Sequence, residues 1–156
     1  QQVSSAASDV YKRQLGDIQY TQEEIDFALE LQRNNGKPEI GIDGKIRPLR
    51  ETLNSPGGGS TDSGDVSYNV PVVSLAATTA PKGVPWHSWS VVASSGMSIG
   101  HKGMLHAAKA LGMTMVDIFK DRKLRESIKK EFDEKIGEYE YDPYLDPGPP
   151  PIDYVD

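Results

Sequence analysis

Cysteine is absent from the 156 residues of this chain. There is therefore no disulfide framework, no thiolate zinc site and no cysteine nucleophile, and the composition fits a reducing, cytoplasmic setting. No apolar run approaches the roughly 20 residues that a membrane-spanning helix needs, so no membrane partner is expected. Positive charge is scarce as well: 17 Lys and Arg face 23 Asp and Glu, for a net charge of −6. A phosphate-backbone binder needs clustered Lys and Arg, so nucleic acid is not an expected partner. The basic residues between positions 120 and 130 are interleaved with Asp and Glu and read as a solvated helix face. Several motifs are missing too. There is no HExxH, and GHKGM at 100–104 is not a phosphate loop, because Gly103 follows Lys102 where Ser or Thr is needed. Ser88 has no nucleophile-elbow context, which disfavours a serine hydrolase.

What is present is an ordinary globular composition, 37% hydrophobic, with a length that allows one domain and a modest core. Three zones are expected. SSAASDVYKRQ at 4–14 resembles, residue for residue, the in-frame translation of a transposase-type sequencing adapter, so residues 1–14 are expected to be a disordered artefact. The alternative is a native Ser/Ala-rich leader. Residues 15–137 carry the folded part, and the acidic, proline-rich stretch 138–156 should be extended without a core of its own.

Thr21 with Glu24 forms a capping-box pattern, and Ile25, Ala28, Leu29 and Gln32 follow at helical spacing, giving a helix over about 21–33. Residues 37–59 are rich in Gly, Pro and charge and read as loop, with room for one short strand. Val72 to Ala77 reads as a short buried strand after Pro71. A second helix is expected over about 98–119, with Ile99, Leu105, Ala108, Leu111, Met115 and Ile118 or Phe119 as its apolar face. A third starts at the N-cap Asp121 and buries Leu124, Ile128, Phe132 and Ile136 before Gly137. One strand and three helices cannot close a sheet-based domain, which points to a piece of something larger.

The candidate chemistry lies in three patches. PGGGSTDSGDVS at 56–67 is a loop able to approach a ligand closely. There Asp62 could support a ligand or a histidine, or Ser60, Thr61 and Asp62 could simply cap a short helix at 63–69. In PWHSW at 85–89, His87 is a good zinc or manganese ligand if Trp86 and Trp89 dry its surroundings; the plainer alternative is a histidine packed in an aromatic cluster. His101 and Lys102 stand in the first turn of the second helix, where basic groups oppose the dipole and call for a partner. His106 further along is a surface or core residue.

Taken together, GGGSTDSGDVS, a strand, PWHSW and SIGHKGMLHAAKALG resemble the C-terminal part of the aminobenzoyl-glutamate utilisation protein B group. That group belongs to the dinuclear-metal amidohydrolases, with carboxypeptidase G, succinyl-diaminopimelate desuccinylase and aminoacylases. The resemblance covers about Tyr20 to Gly137. It implies an α/β fold: the C-terminal portion of a metallopeptidase catalytic domain, a mixed sheet flanked by helices, here incomplete. It also implies two divalent metal ions, zinc or manganese, that activate water on the scissile amide, with a glutamate as general base. The implied substrates are N-acyl or aminobenzoyl-glutamate-type amides, placing the parent in folate catabolism as a dimer or paired with a sister subunit. His87 matches the last metal-ligand histidine, and Gly58, Gly59, Thr61 and Asp62 match the substrate-bordering loop; His101, from its place in the first helical turn, is a candidate contact to substrate or to the Asp62 carboxylate, with simple exposure the plainer alternative. The remaining ligands and the general base have no counterpart in this chain, so the parent enzyme is expected to be active and this chain inactive. The rival class is a small non-catalytic interaction module using the two tryptophans and the proline-rich tail.

Overall fold

The computed structural model describes residues 2–47, 61–143 and 148–149. Among the described residues there are six helices and no strand: α1 (Gln2–Leu15), α2 (Gln22–Asn34), α3 (Ser63–Asn69), α4 (Trp89–Ser95), α5 (Ser98–Lys120) and α6 (Arg122–Ile136). The expected mixed sheet is therefore replaced by an all-helical arrangement. Val72 to Ala77, expected as a strand, is irregular. The reason is the one that makes single strands unstable: backbone N–H and C=O groups of a strand need a neighbour to pair with, and no described segment offers one.

The long helices form where local signals agree. At the start of α2 the Thr21 hydroxyl accepts from the Glu24 N–H at 3.3 Å, and the Glu24 carboxylate accepts from the Thr21 N–H at 2.7 Å, closing the expected capping box. Asp121 caps α6 by accepting from the N–H groups of Lys123 and Leu124, and Gly137 ends it at a positive φ of 59° that glycine reaches freely. Ile128 is buried, and Leu124, Phe132 and Ile136 are half-buried, on the face that the spacing indicates. The short helix α4 follows Ser88, a favoured N-cap type, but the Ser88 hydroxyl turns back to Pro85 and makes no cap bond.

α5 is the central element, with α1, α4 and α6 packed against it and α1 also touching α6. It buries a different face from the expected one. Ile99 is buried, but Leu105, Ala108, Met115 and Phe119 are exposed, and the buried positions are Gly100, Gly103, Ala110 and Thr114. Close approach decided this. A Cβ on Gly103 would collide with the Thr78 carbonyl oxygen, and one on Gly100 with the backbone of Ser95, so the small-residue stripe lets neighbouring backbone come nearer than any leucine face could.

Disorder is expected over residues 1–14, yet Gln2–Leu15 form α1, which packs against α5 and α6. The Tyr11 hydroxyl donates to Asp117 on α5, and Arg13 pairs with Asp9 one turn away at 2.7 Å. The described start of the tail is irregular, and Tyr139 and Tyr141 lie with ring centroids 5.1 and 6.1 Å from that of Tyr68 on α3.

Candidate functional site

The tightest polar assembly joins the N-termini of α2 and α5. Glu24 is buried, and its carboxylate takes Lys102 Nζ at 2.5 Å, the Ser98 hydroxyl at 2.5 Å and the Thr21 N–H at 2.7 Å. Burial by itself would raise its pKa, but the bonds from Lys102, Ser98 and Thr21 outweigh that and bring it down to about 2. Lys102 also donates to the Gln19 carbonyl at 2.9 Å and sits 5.6 Å from the centre of the Tyr20 ring. Lys102 thus has its partner: the carboxylate of Glu24 offsets the cost of a cation in the first turn. Tyr20, half-buried near Glu24 and Asp43, has its hydroxyl pushed up to about 12, by burial first and the two carboxylates after it. Among the described residues that hydroxyl has no hydrogen-bond partner.

A second pin lies at the other end of α2. Gln32 is fully buried and makes four bonds to backbone groups: its Nε2 donates to Gly41 and Lys82 carbonyls at 2.9 and 2.8 Å, and its Oε1 accepts from the N–H groups of Ile40 and Gly41 at 2.9 and 2.8 Å. It ties the helix to two loops at once, one of which leads to His87. Its polarity on a helix's apolar stripe was the signal available in the sequence.

His87 has a backbone conformation that stands out. Its φ is 59°, and among the described residues it is the one non-glycine residue with positive φ. For a residue with a Cβ this region costs about 1 kcal/mol or more and is populated mainly where function or context requires it. The side chain is exposed, and so are its neighbours: Trp86 is 72% and Trp89 57% accessible. Among the described residues the tryptophans therefore do not dry the histidine. Next to it, Ser88 gives its hydroxyl to the Pro85 carbonyl at 2.6 Å.

The other sequence-derived positions are not gathered around it. Thr61 and Asp62 are exposed at the start of α3; the Thr61 hydroxyl accepts from the Ser63 N–H at 3.3 Å, while Asp62 has helical dihedrals and makes no side-chain cap. Gly58 and Gly59 lie outside the described residues. His101 is exposed on α5, and His106 is half-buried with its Nε2 unpartnered, its pKa lowered by burial and by nearby Lys12 and Lys109. None of three clefts on the surface is lined by Thr61, Asp62, His87 or His101. Among the described residues no group of three or more His, Asp or Glu side chains could hold a metal ion. The residues described here do not by themselves fit a metal centre; His87 offers one donor. No described helix is long and apolar enough to cross a membrane.

Comparison with known proteins supplies the class: the chain is similar to a hydrolase. The relative is one of the subunits of p-aminobenzoyl-glutamate hydrolase from Escherichia coli (strain K12), 33% identical over 140 residues. The match covers 74% of this chain but only 29% of the relative's length. It bears out the resemblance carried by the glycine loop, PWHSW and SIGHKGM. No family model and no solved structure matches.

Proposed function

We propose that the chain is the C-terminal part of a metal-dependent amidohydrolase acting on aminobenzoyl-glutamate or related N-acyl amino acids, and that by itself it is inactive. The observation that carries this reading is His87: an exposed imidazole held at positive φ, in the PWHSW motif of a chain 33% identical to a hydrolase component named for that substrate. The two divalent ions of such an enzyme would take His87 as one ligand and complete their sets with donors from outside this chain. The glutamate general base and the other ligands would come from there too. Thr61 and Asp62, with the glycines before them, would border the substrate, and His101 would reach it once that loop is in place. The relative's designation as a subunit supports a paired or dimeric assembly, and a cysteine-free chain supports a cytoplasmic one.

Exposed apolar side chains favour the same reading. Phe119 on α5 is 75% and Val92 on α4 is 74% accessible, and Met104, Leu105, Met115 and Val116 are also open to water. Surface of this kind is normally covered by more protein. Exposed apolar side chains, Trp86 and Trp89 among them, also suit the interaction-module reading, and the two readings separate cleanly. Extending the gene upstream of codon 15 from the native locus should yield a protein that hydrolyses p-aminobenzoyl-glutamate with added zinc or manganese, and His87→Ala should abolish that activity. The 156-residue chain alone should show none. Hydrolysis by the chain alone, or full activity of the His87→Ala enzyme, would overturn the proposal. A cooperative melt of the chain with no gain from upstream sequence would favour the module.

A further inference from the structure

A cleft of about 340 Å³ opens between residues 43–47 and the loop 76–84, and Trp86, the neighbour of His87, forms part of its wall. Its volume is that of a small-ligand site. Its charge is unlike the rest of this acidic chain. Lys12, Lys45, Arg47 and Lys82 all line it, against the single carboxylate of Asp43. Asp43 is already engaged: it accepts from the Lys45 N–H at 3.0 Å and from Arg47 at 2.9 Å, and those bonds hold its pKa below the usual carboxylate range. Lys12, Lys45 and Lys82 have no side-chain hydrogen bond or ion pair among the described residues. Lys45 lies within electrostatic range of Asp43, but one carboxylate against four cations leaves the concavity with net positive charge that an anion would offset.

We propose that this cleft binds a small multivalent carboxylate, with Lys45, Arg47 and Lys82 as the binding residues. Lys12 is an auxiliary contact, since it lies in the stretch that resembles an adapter. A dicarboxylate suits the site better than a compact phosphate. The cations come from separate segments around a cavity several times the size of a single water, so charges spread along a carbon chain can meet more of them. Trp86 adds an apolar wall for that chain. The binding claim stands on the cleft alone; that the cleft orients the anionic end of a substrate beside His87 rests on the amidohydrolase reading above.

The test is a titration of the 156-residue chain, metal-free, with glutarate, citrate and inorganic phosphate, read by tryptophan fluorescence and by ¹⁵N chemical shifts. Saturable binding of the carboxylates is expected, with shifts confined to residues 43–47 and 76–86. The double variant Lys45→Gln/Lys82→Gln should bind about tenfold more weakly or worse, as should the unaltered chain at high salt. Lys123→Gln/Lys130→Gln on α6 should bind as the unaltered chain does. All four lysines are exposed, so both double variants should fold, which far-UV circular dichroism checks. Absence of saturable binding, equal affinity in Lys45→Gln/Lys82→Gln, or shifts centred elsewhere would overturn the site. Tighter binding of phosphate than of citrate would overturn the carboxylate assignment. Because no metal and no turnover enter the measurement, the anion site can survive failure of the hydrolase reading, and the reverse also holds.

Discussion

The junction of α2 with its neighbours and the loop around His87 handle polar groups in opposite ways. At the junction, Glu24 and Gln32 are buried and every bond they need comes from within the chain. At His87 the backbone is strained and the aromatic side chains stand in water. In the first region the carboxylate and the amide are satisfied, with the Tyr20 hydroxyl left unpartnered among the described residues; in the second, a positive φ holds an imidazole that is open to solvent. On the proposed function, the second is the part that meets a metal ion and the rest of the enzyme.

The sharpest way to break the contrast is through Gln32. Replacing it by Leu leaves its buried backbone partners unsatisfied, and urea denaturation should show a loss of about 3 kcal/mol or more; a loss under about 1 kcal/mol would mean the amide is not satisfied as described. Gly103→Ala comes next. Its methyl meets backbone at Thr78, which cannot move aside cheaply, so about 2 kcal/mol should be lost. Glu24→Gln should cost about 1–2 kcal/mol, discounted because Lys102 is partly exposed to solvent.

The pH dependence of Glu24 follows from its sign. Its folded pKa, about 2, lies below the ordinary 4.5, so its contribution is fully present above pH 4.5 and fades as pH falls from there toward 2. Thermal melts across that window should be flatter for Glu24→Gln than for the unaltered chain. His87→Gly should go the other way. Glycine relieves the positive φ, and its extra freedom when unfolded offsets part of the gain, so stability should rise by up to about 1 kcal/mol. A clear loss instead would assign His87 a packing role. The smallest effect is expected at Phe119→Gln: stability unchanged within about 0.5 kcal/mol, with less self-association in light scattering.

Sequence pattern located the parts whose causes are local. The capping box at Thr21 and Glu24, the Asp121 cap and the Gly137 stop are made by residues within a few positions of one another, and each forms as read. The spacing of Leu124, Ile128, Phe132 and Ile136 also holds. Pattern alone misplaces the apolar face of α5, because hydrophobicity favours Leu105 and Met115, while the glycine and alanine stripe is chosen by how closely other backbone can come. The strand expected at 72–77 does not form because strand formation depends on a partner elsewhere. His87 was singled out by type and context, and its positive φ adds a reason that no pattern could show. The Glu24–Lys102 and Gln32 bonds reach across as many as 78 positions, so only half of each was visible in advance.

Length, charge, the lack of thiols, the helix caps and the motif order that relates this chain to a hydrolase were determined by the residues alone, since each depends on composition or on neighbours along the chain. Which face of α5 is buried, that residues 2–15 pack as a helix, what Lys102 pairs with, and where the cationic cleft lies were decided by tertiary structure. Those outcomes depend on groups far apart in sequence meeting at contact distance, and steric fit and pairing of charge act only once they do.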